Sequence, residues 1–104
     1  MAFLDLCRNA NPATSNRVPY LLVVQQPLLD SLPTRLVIPA FRSTAVPKPI
    51  QRLHPVVQFA GETLVLVVPE MAGVPASSLG AVAGNLAESR AAVVAAINFM
   101  VAGV

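Results

Sequence analysis

The chain has 104 residues, 55% of them hydrophobic and only 12% charged, with seven basic and five acidic side chains and a net charge of +2. A single lysine and the lack of any dense basic run exclude the electrostatic footprint of a nucleic-acid binder. One cysteine excludes an intrachain disulfide and a multi-cysteine metal site.

The length suits one domain over residues 1–104. Soluble domains are usually about 25% charged. The shortfall implies that apolar surface is hidden in an interface, most simply between two copies in a homodimer. The opening MAFLDLCRN has an acid at position 5 and no extended apolar stretch, so no secretory leader is expected. Residues 3–7 predict a first strand. Residues 8–18, with Asn9, Asn11, Pro12, Thr14, Ser15 and Asn16, predict a turn-rich loop.

Tyr20 to Gln25 is β-branched and apolar and predicts a strand. Pro27 and Pro33 bracket a short excursion, and Arg35 to Ile38 predicts a strand stopped by Pro39. Residues 42–52 hold Pro47 and Pro49 and predict a loop or an edge segment. Residues 55–59 and 63–68 predict strands joined by a tight hairpin at Ala60-Gly61-Glu62. The second, TLVLVV, is apolar enough to be buried on both faces or to lie in an interface. Between Met71 and Gly84 the breaks at Gly73, Pro75, Gly80 and Gly84 predict turns and one helical turn. From Leu86, the positions Arg90, Val93, Val94, Ile97, Met100 and Val101 recur at helical spacing, predicting about four turns ending near Gly103. The uncharged stretch Ala91–Val104 is shorter than the roughly 20 residues of a membrane span and reads as a buried helix. Short strands followed by one helix define a β-dominated α+β domain, and the Pro and Gly breaks fit a sharply bent, barrel-like sheet.

Catalysis needs convergent polar groups. The carboxylates Asp5, Asp30, Glu62, Glu70 and Glu88 are spread along the chain. No phosphate-cradling glycine loop, HExxH or CxxC occurs. Ser77 and Ser78 read as turn or cap residues, Cys7 as a small inert side chain, and His54, before Pro55, as a structural or surface histidine. No catalytic residue, metal or cofactor is expected, and an enzyme using Cys7 or His54 is disfavoured. The residues describe a β-rich binding domain with one anomaly: its last helix ends VAGV with almost no polar tail. Such an end either docks into a partner or packs at a dimer interface.

Several motifs in order resemble the CcdB family from about Val18 to Val104. They are VPYLLVVQ, Leu28-Leu29-Asp30, Arg35 with the following LVIP, and LHPVVQF. Then come Pro69-Glu70-Met71-Ala72 with GVP, LG at 79–80, and AINFM before the terminal Gly-Val. The resemblance implies an SH3-like β-barrel with a C-terminal α-helix, assembled as a symmetric homodimer. It also implies a cytoplasmic type II toxin that binds DNA gyrase A and traps gyrase on cleaved DNA. A CcdA-like antitoxin with a disordered tail would neutralise it. The implied gyrase-binding residues are Asn98, Val101, Ala102, Gly103 and Val104, with Leu28 and Leu29 nearby. Toxic members end Trp-Gly-Ile; here Gly103 matches, Val104 is conservative, and Ala102 replaces a large stacking surface. A non-toxic binding module or antitoxin decoy is the alternative that Ala102 favours. The 8–18 segment is longer than in the plasmid-borne prototype, so antitoxin contacts do not carry over. Arg8, Arg17, Arg42, Lys48 and Arg52, in predicted loops, are candidates to meet an acidic antitoxin tail.

Overall fold

Along each strand alternate side chains point to opposite faces of a sheet, and here both sets are apolar. The computed structural model describes residues 1–103; Val104, the last candidate contact, lies outside them. Among the described residues the strands are β1 (Asp5–Asn9), β2 (Tyr20–Val23), β3 (Thr34–Arg42), β4 (Val56–Phe59), β5 (Glu62–Leu66), β6 (Ala72–Pro75) and β7 (Leu79–Asn85), followed by helix α1 (Arg90–Ala102). All pairings are antiparallel, in the order β4-β5-β3-β2-β1-β7, with β6 on the first half of β3.

Leu6, Tyr20, Leu22, Ile38, Ala40, Leu64 and Leu66 face one way and bury against Val93 and Ala96 of α1. Their neighbours Cys7, Leu21, Val23, Val37, Phe41, Val65 and Val67 form a second core on the other face. The TLVLVV run is accordingly buried from Leu64 to Val68. Each such leucine or valine contributes about 1.5–3 kcal/mol through its removal from water.

The sheet curls into a half-barrel. Its two end strands, β4 and β7, meet through a side chain: the Phe59 ring lies so close to Gly84 that a Cβ there would sit 2.5 Å from Cε1. The same ring packs edge-on against Tyr20, with centroids 5.3 Å apart. A curled antiparallel sheet with one C-terminal helix is the β-dominated architecture expected from the sequence.

Some boundaries differ from the sequence reading. β1 begins at Asp5 and continues through Arg8 and Asn9, which pair with Tyr20 and Leu79. Arg8 and, at the end of β3 where it pairs with Leu64, Arg42 are therefore strand residues, not loop ones. Pro39 does not stop β3. Leu36 O accepts from Val24 N–H, so Leu36 faces β2, and Pro39 faces the other edge, where its carbonyl accepts from Val67 N–H at 3.1 Å. On that edge β3 changes partner, from β6 at Val37 to β5 at Ala40. The missing proline donor falls in the gap between the two ladders. Residues 71–84 form two strands around a 3-10 turn (Ala76–Ser78). Gly80 and Gly84 are close-approach positions rather than breaks, and at Gly80 a Cβ would lie 3.1 Å from Arg8 O; Gly73, within β6, has open space around it. The hairpin at Ala60-Gly61 is as expected, with φ of 51° and 76°, the positive pair that a type I′ turn requires.

Candidate functional site

Helix α1 is alanine-rich, which favours helix at every exposed position. A 3-10 turn (Ala87–Ser89) leads into it, so the regular helix starts at Arg90 rather than Leu86. Asn85 ties this entrance to the first strand: its side-chain amide donates to Asp5 Oδ1 at 3.0 Å and Phe3 O at 3.1 Å, while its Oδ1 accepts from Ala87 N–H. Val93 and Ala96 are buried and Ile97 and Met100 pack beside them, a stripe with i, i+3, i+4, i+7 spacing. Gly103 closes the helix in the left-handed conformation, φ 75°, with its N–H donating to Phe99 O at 2.9 Å.

The tip stands clear of the half-barrel. Asn98, Val101, Ala102 and Gly103 are exposed, Val101 to 72%. These four candidates lie together. Leu28 and Leu29 are exposed as well, Leu28 to 87%, but at the opposite end of the helix. Their 3-10 turn (Pro27–Leu29) borders a shallow hollow shared with Phe3 and Arg90. The 13 residues of α1 rise about 19 Å from Arg90 to the tip. That turn is held by its carbonyls: Gln25 Nε2 donates to Leu29 O at 3.2 Å and Arg35 Nη2 to Asp30 O at 2.8 Å. A hydrogen bond from the Met1 amine, with the nearby Arg35 guanidinium, holds the Asp30 carboxyl below its ordinary range.

The basic candidates separate. Arg17 and Arg42 line one concavity with Asn16, Thr44 and Ala45. Arg42 also pairs with Glu62, and its Nε donates to Asn16 O at 2.7 Å. Arg17 lies over Phe41 and borders an adjoining cleft of about 390 Å³ floored by Leu21, Pro39, Phe41 and Val74. Arg8 lies over Tyr20, 5.9 Å from the ring centre, and Lys48 is exposed between two prolines.

Arg52 is elsewhere, over the Phe99 ring at 4.0 Å, on the last turns of α1. Its φ is 74°. The turn around it is closed by His54, whose Nδ1 accepts from Ile50 N–H at 2.8 Å while its own backbone N–H donates to Ile50 O at 2.9 Å. Neither the contact nor the left-handed residue is signalled in QRLHP.

Cys7 is fully buried in the second core, and that burial, with the negative charge of Asp5, pushes its thiol above the ordinary value of 9.0. Among the described residues no three His, Cys, Asp or Glu side chains gather as a metal site, and no helix is long and apolar enough to cross a membrane.

The described residues thus form a small antiparallel half-barrel that displays the apolar end of one packed helix. A family model described as CcdB protein matches residues 4–103, and the chain belongs to the CcdB family. That membership supports a toxin of the CcdA/CcdB system. Comparison with curated proteins finds no match.

Proposed function

We propose that the chain is the toxin of a type II toxin–antitoxin pair. It binds DNA gyrase A through the exposed end of α1 and inhibits or poisons gyrase, and a CcdA-like antitoxin neutralises it. It acts as a cytoplasmic homodimer of one domain spanning 1–104, without cofactor, metal, membrane or direct nucleic-acid contact. The observation that carries this reading is the family membership joined to a helix tip at which Asn98, Val101, Ala102 and Gly103 all face solvent. An apolar tip displayed on a rigid element suits insertion into a larger partner. For the antitoxin, the concavity lined by Arg17 and Arg42 suits an acidic tail.

The second reading, a non-toxic dimeric binding module or antitoxin decoy, is favoured by Ala102, whose methyl offers little contact area. Titration of the purified chain with a gyrase A fragment separates the two, alongside expression in a sensitive host with a DNA-damage reporter. Binding with growth arrest supports the toxin. Folded protein that binds a CcdA-like peptide but not gyrase A, in cells that grow normally, supports the decoy. Light scattering tests the homodimer.

A further inference from the structure

The loop from Ser43 to Pro55 and helix α1 together carry Lys48, Arg52, His54 and Arg90 and not one acidic residue. Within that loop the backbone is forced left-handed at Arg52, φ 74°, a conformation that suits glycine and strains a side-chain-bearing residue. Among the described residues the other positive-φ residues with side chains are Leu4, buried in the core, and Ala60, in a hairpin turn. Arg52 is exposed and belongs to neither class. Nothing in the backbone favours arginine there, so the side chain itself accounts for the residue. Backbone strain held by surrounding structure is a mark of functional positions.

What the side chain does is visible. The His54-closed turn delivers the guanidinium over Phe99, the residue that follows Asn98 on α1. Among the described residues no ion pair engages it, so its N–H edges remain open to an acceptor. Beside it lie Pro55, Ala92 and Ala95 lining a small apolar hollow, with Ile50 and Val56 each more than half exposed.

We propose that Arg52 is a recognition residue of the target-binding surface, its ring-stacked guanidinium offering a planar pair of donors to a carboxylate of the target next to the apolar tip. This rests on the gyrase reading and adds to it the chemistry of the target patch: a carboxylate flanked by apolar side chains. A guanidinium over the last turns also meets the partial negative charge of the helix end. That internal role predicts no change in the salt dependence of binding.

The test is titration of the full chain, Arg52→Gly and Arg52→Lys with a gyrase A fragment at several salt concentrations, with circular dichroism of each. Arg52→Gly, whose backbone suits the left-handed turn, keeps its helix signal, binds on the order of tenfold more weakly, and loses part of the salt dependence. Arg52→Lys keeps the salt dependence but not the full affinity, because an ammonium lacks the planar fork. Parent-like affinity and salt dependence in Arg52→Gly overturn the inference while leaving the gyrase reading intact. If Arg52→Gly loses its helix signal, parent-like affinity in Arg52→Lys overturns the planar-donor role. No binding by the parent chain overturns the gyrase reading and this inference with it.

Discussion

Ala102→Trp is the sharpest probe of the helix tip. Ala102 is the last residue of α1 and is exposed, and the helix closes behind it at Gly103, where an added Cβ would meet nothing within 4 Å. A tryptophan there has room and no core neighbour to displace, so the stability of the free protein stays within about 0.5 kcal/mol of the parent's. In a complex, an indole buries about 150–250 Å². At about 25 cal/mol per Å² the gross gain is about 4–6 kcal/mol. Ordering the side chain costs about 0.5–1.5 kcal/mol, and a side chain at an interface edge is covered only in part. The net expectation is about 2–3 kcal/mol, a Kd for the gyrase A fragment lowered roughly 30- to 150-fold. The assay is titration calorimetry of parent and variant against the same fragment, with growth arrest in a sensitive host as the cellular counterpart. A folded variant that binds no more tightly than a binding parent would show that the end of α1 is not the contact.

Three further outcomes concern the scaffold. Gly84→Ala places a Cβ 2.5 Å from the Phe59 ring, and the ring's displacement from Tyr20 costs about 1–3 kcal/mol, read as a lower urea midpoint at unchanged slope; parent-like stability would mean that β4 and β7 are not in contact there. Ala60→Asn, at φ 51° before Gly61, supplies the residue that a type I′ turn favours and adds about 0.5 kcal/mol; a lower thermal midpoint would contradict the turn assignment. The Cys7 thiol, raised by burial from its ordinary 9.0, favours the native state while protonated. That contribution is whole below pH 9 and fades as pH rises through the elevated native value. The native protein should resist a thiol-disulfide reagent at neutral pH and lose stability in alkali, and Cys7→Ala should abolish the alkaline component. Rapid labelling of the folded protein would refute this burial.

The fold was legible where a residue's local preference and its tertiary role agree. Tyr20–Val23 is apolar and strand-favouring, lies in the middle of the sheet, and is buried throughout. Gly61 turns the hairpin it was expected to turn, and the 93/96/97/100 stripe of α1 faces the core. Legibility failed where tertiary context overrode local chemistry. Pro39 is a strand breaker in isolation, yet on this strand its missing donor points into the gap between two partner strands. Gly80 and Gly84 are punctuation in isolation, yet in β7 they let Arg8 and Phe59 approach the backbone. The position of a gap between partners, or the identity of a neighbour across a sheet, is not carried by residues near it in the chain.

The candidate site divides in the same way. That an apolar helix end would stand at the surface followed from VAGV and the CcdB resemblance, and the exposed tip fits it. The grouping of the other candidates did not follow, because separation along the sequence says nothing of direction on the molecule. Leu28–Leu29 and the tip occupy opposite ends of α1, and the five basic candidates part between the Arg17–Arg42 concavity, Tyr20, the Pro47–Pro49 loop and Phe99. The same holds for the apolar surplus read from the low charge content. Part of it is satisfied within one chain, since a sheet with two apolar faces needs cover on both and obtains it from α1 and from the loops. The rest stays exposed among the described residues: Leu28, Leu29 and Leu32 in and after the 3-10 turn of residues 27–29, Ile50 and Val56 before and at the start of β4, Val82 on β7, Val101 at the end of α1, and Met1. Composition reports that an excess exists; only the folded chain separates what its own core absorbs from what is left for partners. Of these, Val101 stands on the helix whose Phe99 ring carries the guanidinium of Arg52, and neither the 43–55 loop nor α1 contains an acidic residue; that is where we propose recognition of a charged and apolar partner.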